Sequence, residues 1–95
     1  MLSPMITPAQ SRAARGLLDW SQQELAETAK LGLSTVRDFE KGRRVPYPNN
    51  LSAIHTALEA AGVEFIAENG GGAGVRLRQA GASTTRPAVA DGETS

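Results

Sequence analysis

W-S-Q-Q-E-L-A-E-T-A-K-L-G-L-S-T-V-R-D-F-E-K-G, running from Trp20 to Gly42, holds two short helical patterns joined by a turn too tight to let them lie parallel. Ser21 with Glu24 three residues on has the capping-box spacing, in which hydroxyl and carboxylate each accept from the other residue's backbone N–H. Leu25, Ala26 and Ala29 follow at helical spacing and give the first pattern one apolar face. Lys30, Leu31 and Gly32 break it, and Gly32 has the freedom to take a positive φ or the cap geometry that a sharp corner needs. A second helix is expected over about Leu33 to Lys41.

That second helix has two unlike faces. Val36 and Phe39 point one way, into a core, while Ser34, Arg37, Asp38 and Lys41 fall at i, i+3, i+4 and i+7 and form one hydrogen-bonding stripe. On an arbitrary helix such a stripe is the solvated face. Behind a capped helix and a three-residue turn, it is the arrangement that presents a second helix to the major groove of DNA.

From about Arg12 to Val63 the chain resembles the lambda-repressor-like (Cro/C1, XRE) helix-turn-helix DNA-binding domains. W-S-Q-Q-E-L-A, S-T-V-R-D-F-E-K-G-R, Pro46 and the ending A-L-E-A-A-G-V carry the likeness. The resemblance implies a mainly α, lambda-repressor-like bundle of four helices, here followed by a C-terminal β-hairpin. It also implies that Gln22 approaches a phosphate, that Leu33, Ser34, Arg37 and Asp38 read base edges, and that Arg15 and Glu40 form a buried ion pair. Lys30 and Leu31 stand where Gly-Val is common in the family, and the end of the domain reads as β rather than helical.

Ninety-five residues allow one small domain. Ten basic and ten acidic side chains cancel, so net charge says nothing about nucleic acid, but their distribution does. Lys41, Arg43 and Arg44 cluster directly after the reading helix, within reach of phosphates, while Glu59, Glu64, Glu68, Asp91 and Glu93 lie beyond. The absence of cysteine excludes a disulfide framework and a thiolate zinc site and agrees with a reducing cytoplasm. No apolar run has membrane-spanning length and the N-terminus lacks a signal-peptide pattern, so a cytoplasmic protein without a membrane partner is expected.

Residues 1–6 are expected to be loose, 7–62 to form the helical domain, 63–78 the hairpin and 79–95 a disordered tail. Thr7 with Gln10 makes another capping box with Pro8 at the first helical position, and Ala13, Ala14, Leu17 and Leu18 supply that helix's apolar stripe, flanked by Arg12 and Arg15. Trp20 is placed to staple the junction of the first two helices. R-R-V-P-Y-P-N-N after Gly42 is a loop, from which Tyr47 can also reach a phosphate, and Asn49 or Asn50 is expected to cap the next helix. Leu51, Ile54, Leu58 and Ala61 share one face of that helix, Gly62 ends it, and His55 defaults to the surface. Val63 to Ile66 and Val75 to Arg78 alternate as strands, with Glu64 facing Arg76 or Arg78. The intervening glycines lack the lysine and following helix of a phosphate loop.

No nucleophile–base pair, metal-ligand cluster or cofactor fingerprint is present, so no enzyme, metal or cofactor is expected. The reading is a sequence-specific binder of double-stranded DNA that regulates transcription, by occupying an operator or by touching RNA polymerase or another regulator. Of a different class are an adaptor or antiactivator that keeps the fold without reading DNA, and an antitoxin. A single helix-turn-helix contacts few base pairs, so a homodimer on a two-fold operator is expected. Val63, Phe65, Ile66, Val75 and Leu77 exceed what a two-stranded ribbon buries alone, and one hairpin strand is expected to pair with its symmetry mate.

Overall fold

The computed structural model describes residues 6–68 and 70–78. Four helices, α1 (Pro8–Leu18), α2 (Gln22–Ala29), α3 (Leu33–Glu40) and α4 (Pro48–Ala60), precede an antiparallel hairpin of β1 (Val63–Ile66) and β2 (Gly74–Leu77). This is the mainly helical bundle with a C-terminal hairpin that the residue pattern implies. Met1 to Met5 and the tail from Gln79 to Ser95, read as loose and disordered, lie outside the described residues.

Two capping boxes start the first two helices. Thr7 Oγ1 accepts from Gln10 N–H at 3.0 Å while Gln10 Oε1 accepts from Thr7 N–H at 2.9 Å, and Ser21 and Glu24 repeat the exchange at 3.0 and 2.8 Å. The corner between α2 and α3 is made by Lys30, in the left-handed region at φ 61°, and Gly32 takes the second of its two options, an extended N-cap at φ −71°. The start of α4 departs from expectation. Pro48 opens that helix with Tyr47 as the extended N-cap, so neither Asn49 nor Asn50 caps it. Pro48 has no N–H to leave unsatisfied and its ring disfavours a helical residue before it, which sets the boundary at Tyr47.

Leu25, Ala26, Val36, Phe39, Leu51, Ile54, Ala57, Leu58 and Val63 form the core with Ala14 and Ile6. Ile6 is wholly buried, which corrects the expectation of a loose stretch at that residue. The stripe assigned to α1 is also corrected. Ala13 and Leu17 are exposed, Leu17 at 42%, and the buried side chains of α1 are Gln10, Ser11 and Ala14. Ala14 and Leu18 keep their place against the core, and the inward face they share with Gln10 and Ser11 carries polar groups that meet partners elsewhere in the fold.

Strand pairing sets Val63 opposite Leu77, Glu64 opposite Arg76, Phe65 opposite Val75 and Ile66 opposite Gly74. Glu64 accepts from Arg76 Nε at 3.1 Å, whereas Arg78 turns to the carbonyls of Glu59 and Val63. The hairpin is fastened to α1 by Gln10, whose Nε2 donates to Gly74 O at 2.9 Å and Ile66 O at 3.4 Å. His55 is not a free surface residue. Its ring lies 4.6 Å from that of Phe65, which ties α4 to β1, and its Nδ1 is 3.3 Å from Glu59 Oε1 one turn on along the same helix.

Candidate nucleic-acid interface

The polar stripe of α3 stands on a buried polar foundation. Val36 and Phe39 anchor the helix in the core, and Glu40, its last residue, is 1% exposed. A carboxylate withdrawn from water needs compensation, and α1 and α2 supply it. Arg15 donates to Glu40 from Nε at 3.1 and 3.0 Å and from Nη2 at 2.8 Å, Ser11 Oγ donates at 2.5 Å, and Gln22 Nε2 donates at 3.0 Å. Burial pushes the Glu40 carboxyl up, but the hydrogen bonds from Arg15, Ser11 and Gln22 and the charge of Arg15 outweigh it and hold the carboxyl below its ordinary value. Arg12 donates to the backbone carbonyl of Glu40, a favourable place for a cation at a helix C-terminus. Arg15 Nη1 also donates to Trp20 O at 3.0 Å at the α1–α2 junction, and Trp20, partly buried, packs against the core.

Ser34 and Arg37 project into solvent, Leu33 and Asp38 are half-buried, and Lys41, the C-cap, is exposed. Arg43 and Arg44 are exposed just beyond. The structure therefore brings Ser34, Arg37, Lys41 and the two arginines to an open surface at and after α3. Gln22 sits differently, half-buried with its amide on Glu40. The capping box of α2 uses the N–H of Glu24 and leaves those of Gln22 and Gln23 outside it. Val63, assigned to a dimer contact, is wholly inside its own core because β1 packs on α4, so its side chain is not available to a second chain. Ile66 and Leu77 are each 37% exposed.

Sequence reasoning missed two features. Ser11 and Arg12 join the Glu40 cluster, and a signal existed: Ser11 and Arg15 lie one helical turn apart on α1. The second is an open cleft of about 330 Å³ beside α3, lined by Thr35, Arg44, Val45, Tyr47 and Asn50, in which Val45 and Tyr47 are 79% and 78% exposed. Nothing in the spacing of these residues announces it, because it is closed only when the loop after α3 folds back toward α4. Among the described residues no group of three or more His, Cys, Asp or Glu side chains is placed to hold a metal, and no helix is long and apolar enough to cross a membrane.

Two short helices at a sharp corner, the second anchored from beneath and exposing a polar stripe with cations at its end, define a helix-turn-helix DNA-binding domain. A family model described as Helix-turn-helix, of the Cro/C1 type, matches residues 12–64, and the chain belongs to that family. None of the curated proteins compared with the chain matches it.

Proposed function

We propose that this DNA-binding domain is a sequence-specific transcriptional regulator that lays α3 in the major groove and binds a two-fold operator as a homodimer. The observation that carries the reading is the division of α3: Glu40, Val36 and Phe39 fix its inner side, while Ser34 and Arg37 project outward beside Lys41, Arg43 and Arg44. Arg37 is the long cation in the middle of the stripe, and a guanidinium fork matches guanine O6 and N7. Asp38 accepts from a cytosine amino group or holds Arg37, Ser34 hydrogen-bonds a base or phosphate, and Leu33 touches a thymine methyl. Lys41, Arg43 and Arg44 position the domain on phosphates. At the start of α2 the free N–H groups of Gln22 and Gln23 meet another, with the Gln22 side chain spanning that contact and Glu40.

Selection of bound duplexes from a random pool tests the proposal. A recovered consensus with two-fold symmetry supports it, and recovery of no consensus defeats it. A carboxylate within the stripe, Asp38, favours a second reading, a protein-interaction adaptor that has lost DNA reading. In that case no shift of random duplex occurs even at low salt.

A further inference from the structure

The cations around the end of α3 have no carboxylate of their own. Arg37, Lys41, Arg43 and Arg44 are all exposed, and the ion pairs among the described residues join Arg15 to Glu40, His55 to Glu59 and Arg76 to Glu64, so none of the four takes part in one. Asp38, half-buried in the same helix, also stands outside these pairs. Backbone bonds gather the group at the helix end: Lys41 N–H donates to Arg37 O at 3.0 Å and Arg43 N–H to Asp38 O at 2.9 Å.

Further acidic charge lies beyond the hairpin. Past Arg78 the acidic side chains are Asp91 and Glu93, separated by Gly92, in a stretch whose one cation is Arg86. α4 sets the distance they have to cover. Arg44 lines the cleft at the start of that helix with Tyr47 and Asn50, and past its far end Arg78 N–H donates to Gly62 O at 2.8 Å. The 13 residues of α4 hold those ends about 20 Å apart. Asp91 comes thirteen residues after Arg78, and a coil of that length has a root-mean-square span of about 20 Å. A tether matched to its span gives the highest effective concentration, about millimolar for a short one.

We propose that Asp91 and Glu93 fold back within the same chain onto Lys41, Arg43 and Arg44 and cover that surface until DNA displaces them. The contact rests on the reading of this surface as the DNA side of the domain, and it adds a competitor carried by the chain itself. Because the carboxylates must leave before any duplex is bound, they weaken binding to all sequences by the same factor and leave base preference alone. Exposed ion pairs are individually weak and are screened by salt, so the competition is greatest at low ionic strength. Raising salt loosens the internal contact together with the DNA contact, which makes the apparent salt slope of the full chain shallower than that of a chain lacking the carboxylates.

Asp91→Asn combined with Glu93→Gln removes the carboxylates without touching the described fold. At low salt the double variant is expected to bind random duplex about two- to fivefold more tightly than the unaltered chain, with a steeper salt slope. In the absence of DNA its NMR signals from Lys41, Arg43 and Arg44 are expected to differ from those of the unaltered chain. A shortened tether separates contact from net charge. Removing residues 79–85 and 87–89 keeps every charged side chain but leaves Asp91 three residues from Arg78, at most about 11 Å away, and this chain should behave as the double variant does. Unchanged signals, unchanged affinity, or a shortened chain that behaves as the unaltered one overturns the proposal. So does a contact that fades on dilution, which belongs to a second copy. The NMR comparison contains no DNA and decides the contact by itself, whereas failure of the unaltered chain and the variants alike to bind duplex sinks the operator reading.

Discussion

Arg15 embraces the Glu40 carboxylate with two nitrogens, Nε and Nη2, the latter at 2.8 Å, and so joins the middle of α1 to the last residue of α3. The arginine keeps 19% of its side-chain surface in water whereas the carboxylate keeps 1%. That asymmetry predicts which deletion leaves the worse residue behind. Arg15→Ala strands a buried anion whose remaining donors are the neutral Ser11 and Gln22, and the loss of one partner of a buried pair costs about 3 to 5 kcal/mol. Glu40→Ala leaves a cation that can turn toward solvent, so it should cost less, though still far more than Glu27→Ala on the exposed face of α2. Urea or thermal denaturation of the three variants checks the order Arg15, Glu40, Glu27.

Acid should weaken the fold through the same carboxylate. The folded-state pKa of Glu40 is lowered from 4.5, because hydrogen bonds and the Arg15 charge overcome the upward push of burial. The folded protein therefore binds fewer protons than the unfolded chain between that lowered value and 4.5. Stability from this group is complete above about pH 4.5 and is lost as pH falls through the folded value. Glu64, held low by Arg76 on the surface, acts in the same direction with a small, screened effect. Glu40→Gln should be much less stable than the unaltered protein at neutral pH, with the gap narrowing below pH 4.5. A gap independent of pH would show that the carboxylate's charge contributes nothing.

Lys30 is a second place where the fold departs from what its residue prefers. Its φ of 61° closes α2, and its N–H donates to Glu27 O at 3.2 Å. A left-handed residue with a side chain costs about 1 to 2 kcal/mol, which glycine escapes while losing part of the gain to its greater freedom when unfolded. Lys30→Gly is expected to stabilise the protein by about 1 kcal/mol, read as a raised melting temperature. Asp19 closes α1 at φ 59°, but aspartate tolerates that region better, so Asp19→Gly should stabilise less.

The positions that could be read from sequence were those where one local rule acts alone. Thr7–Gln10 and Ser21–Glu24 satisfy each other within one turn, and the alternation of Val63, Phe65, Val75 and Leu77 fixes the strand faces without help from the rest of the chain. Where two rules compete, local reading loses. Gly32 outranks Lys30 in intrinsic freedom, yet the corner falls at Lys30 because α2 ends where its apolar face does. Ala13 and Leu17 outrank Ser11 and Arg15 in hydrophobicity, yet Ser11 and Arg15 join Ala14 and Leu18 on the inward side of α1 because Glu40, distant in sequence, is met there. The cleft at Thr35, Arg44, Val45, Tyr47 and Asn50 depends wholly on how one loop returns to α4.

On DNA, reading and positioning should separate by measurement. Arg37 is exposed at the middle of the α3 stripe, and a bidentate contact to guanine is worth about 1 to 3 kcal/mol of discrimination against the wrong base. Arg37→Ala is expected to relax preference at one base position in each half-site, seen by comparing sequences selected by the two proteins. Arg43 and Arg44 are exposed after the helix. Either one changed to Ala should weaken binding to all sequences alike and reduce the magnitude of the salt slope by about one for each phosphate no longer neutralised. Gln22→Ala is neutral in charge, so its slope should hold, but it also removes a donor from Glu40 and should lower the melting temperature. A variant at Arg37 that keeps the original base preference but has a shallower salt slope would move that residue from the reading set to the positioning set.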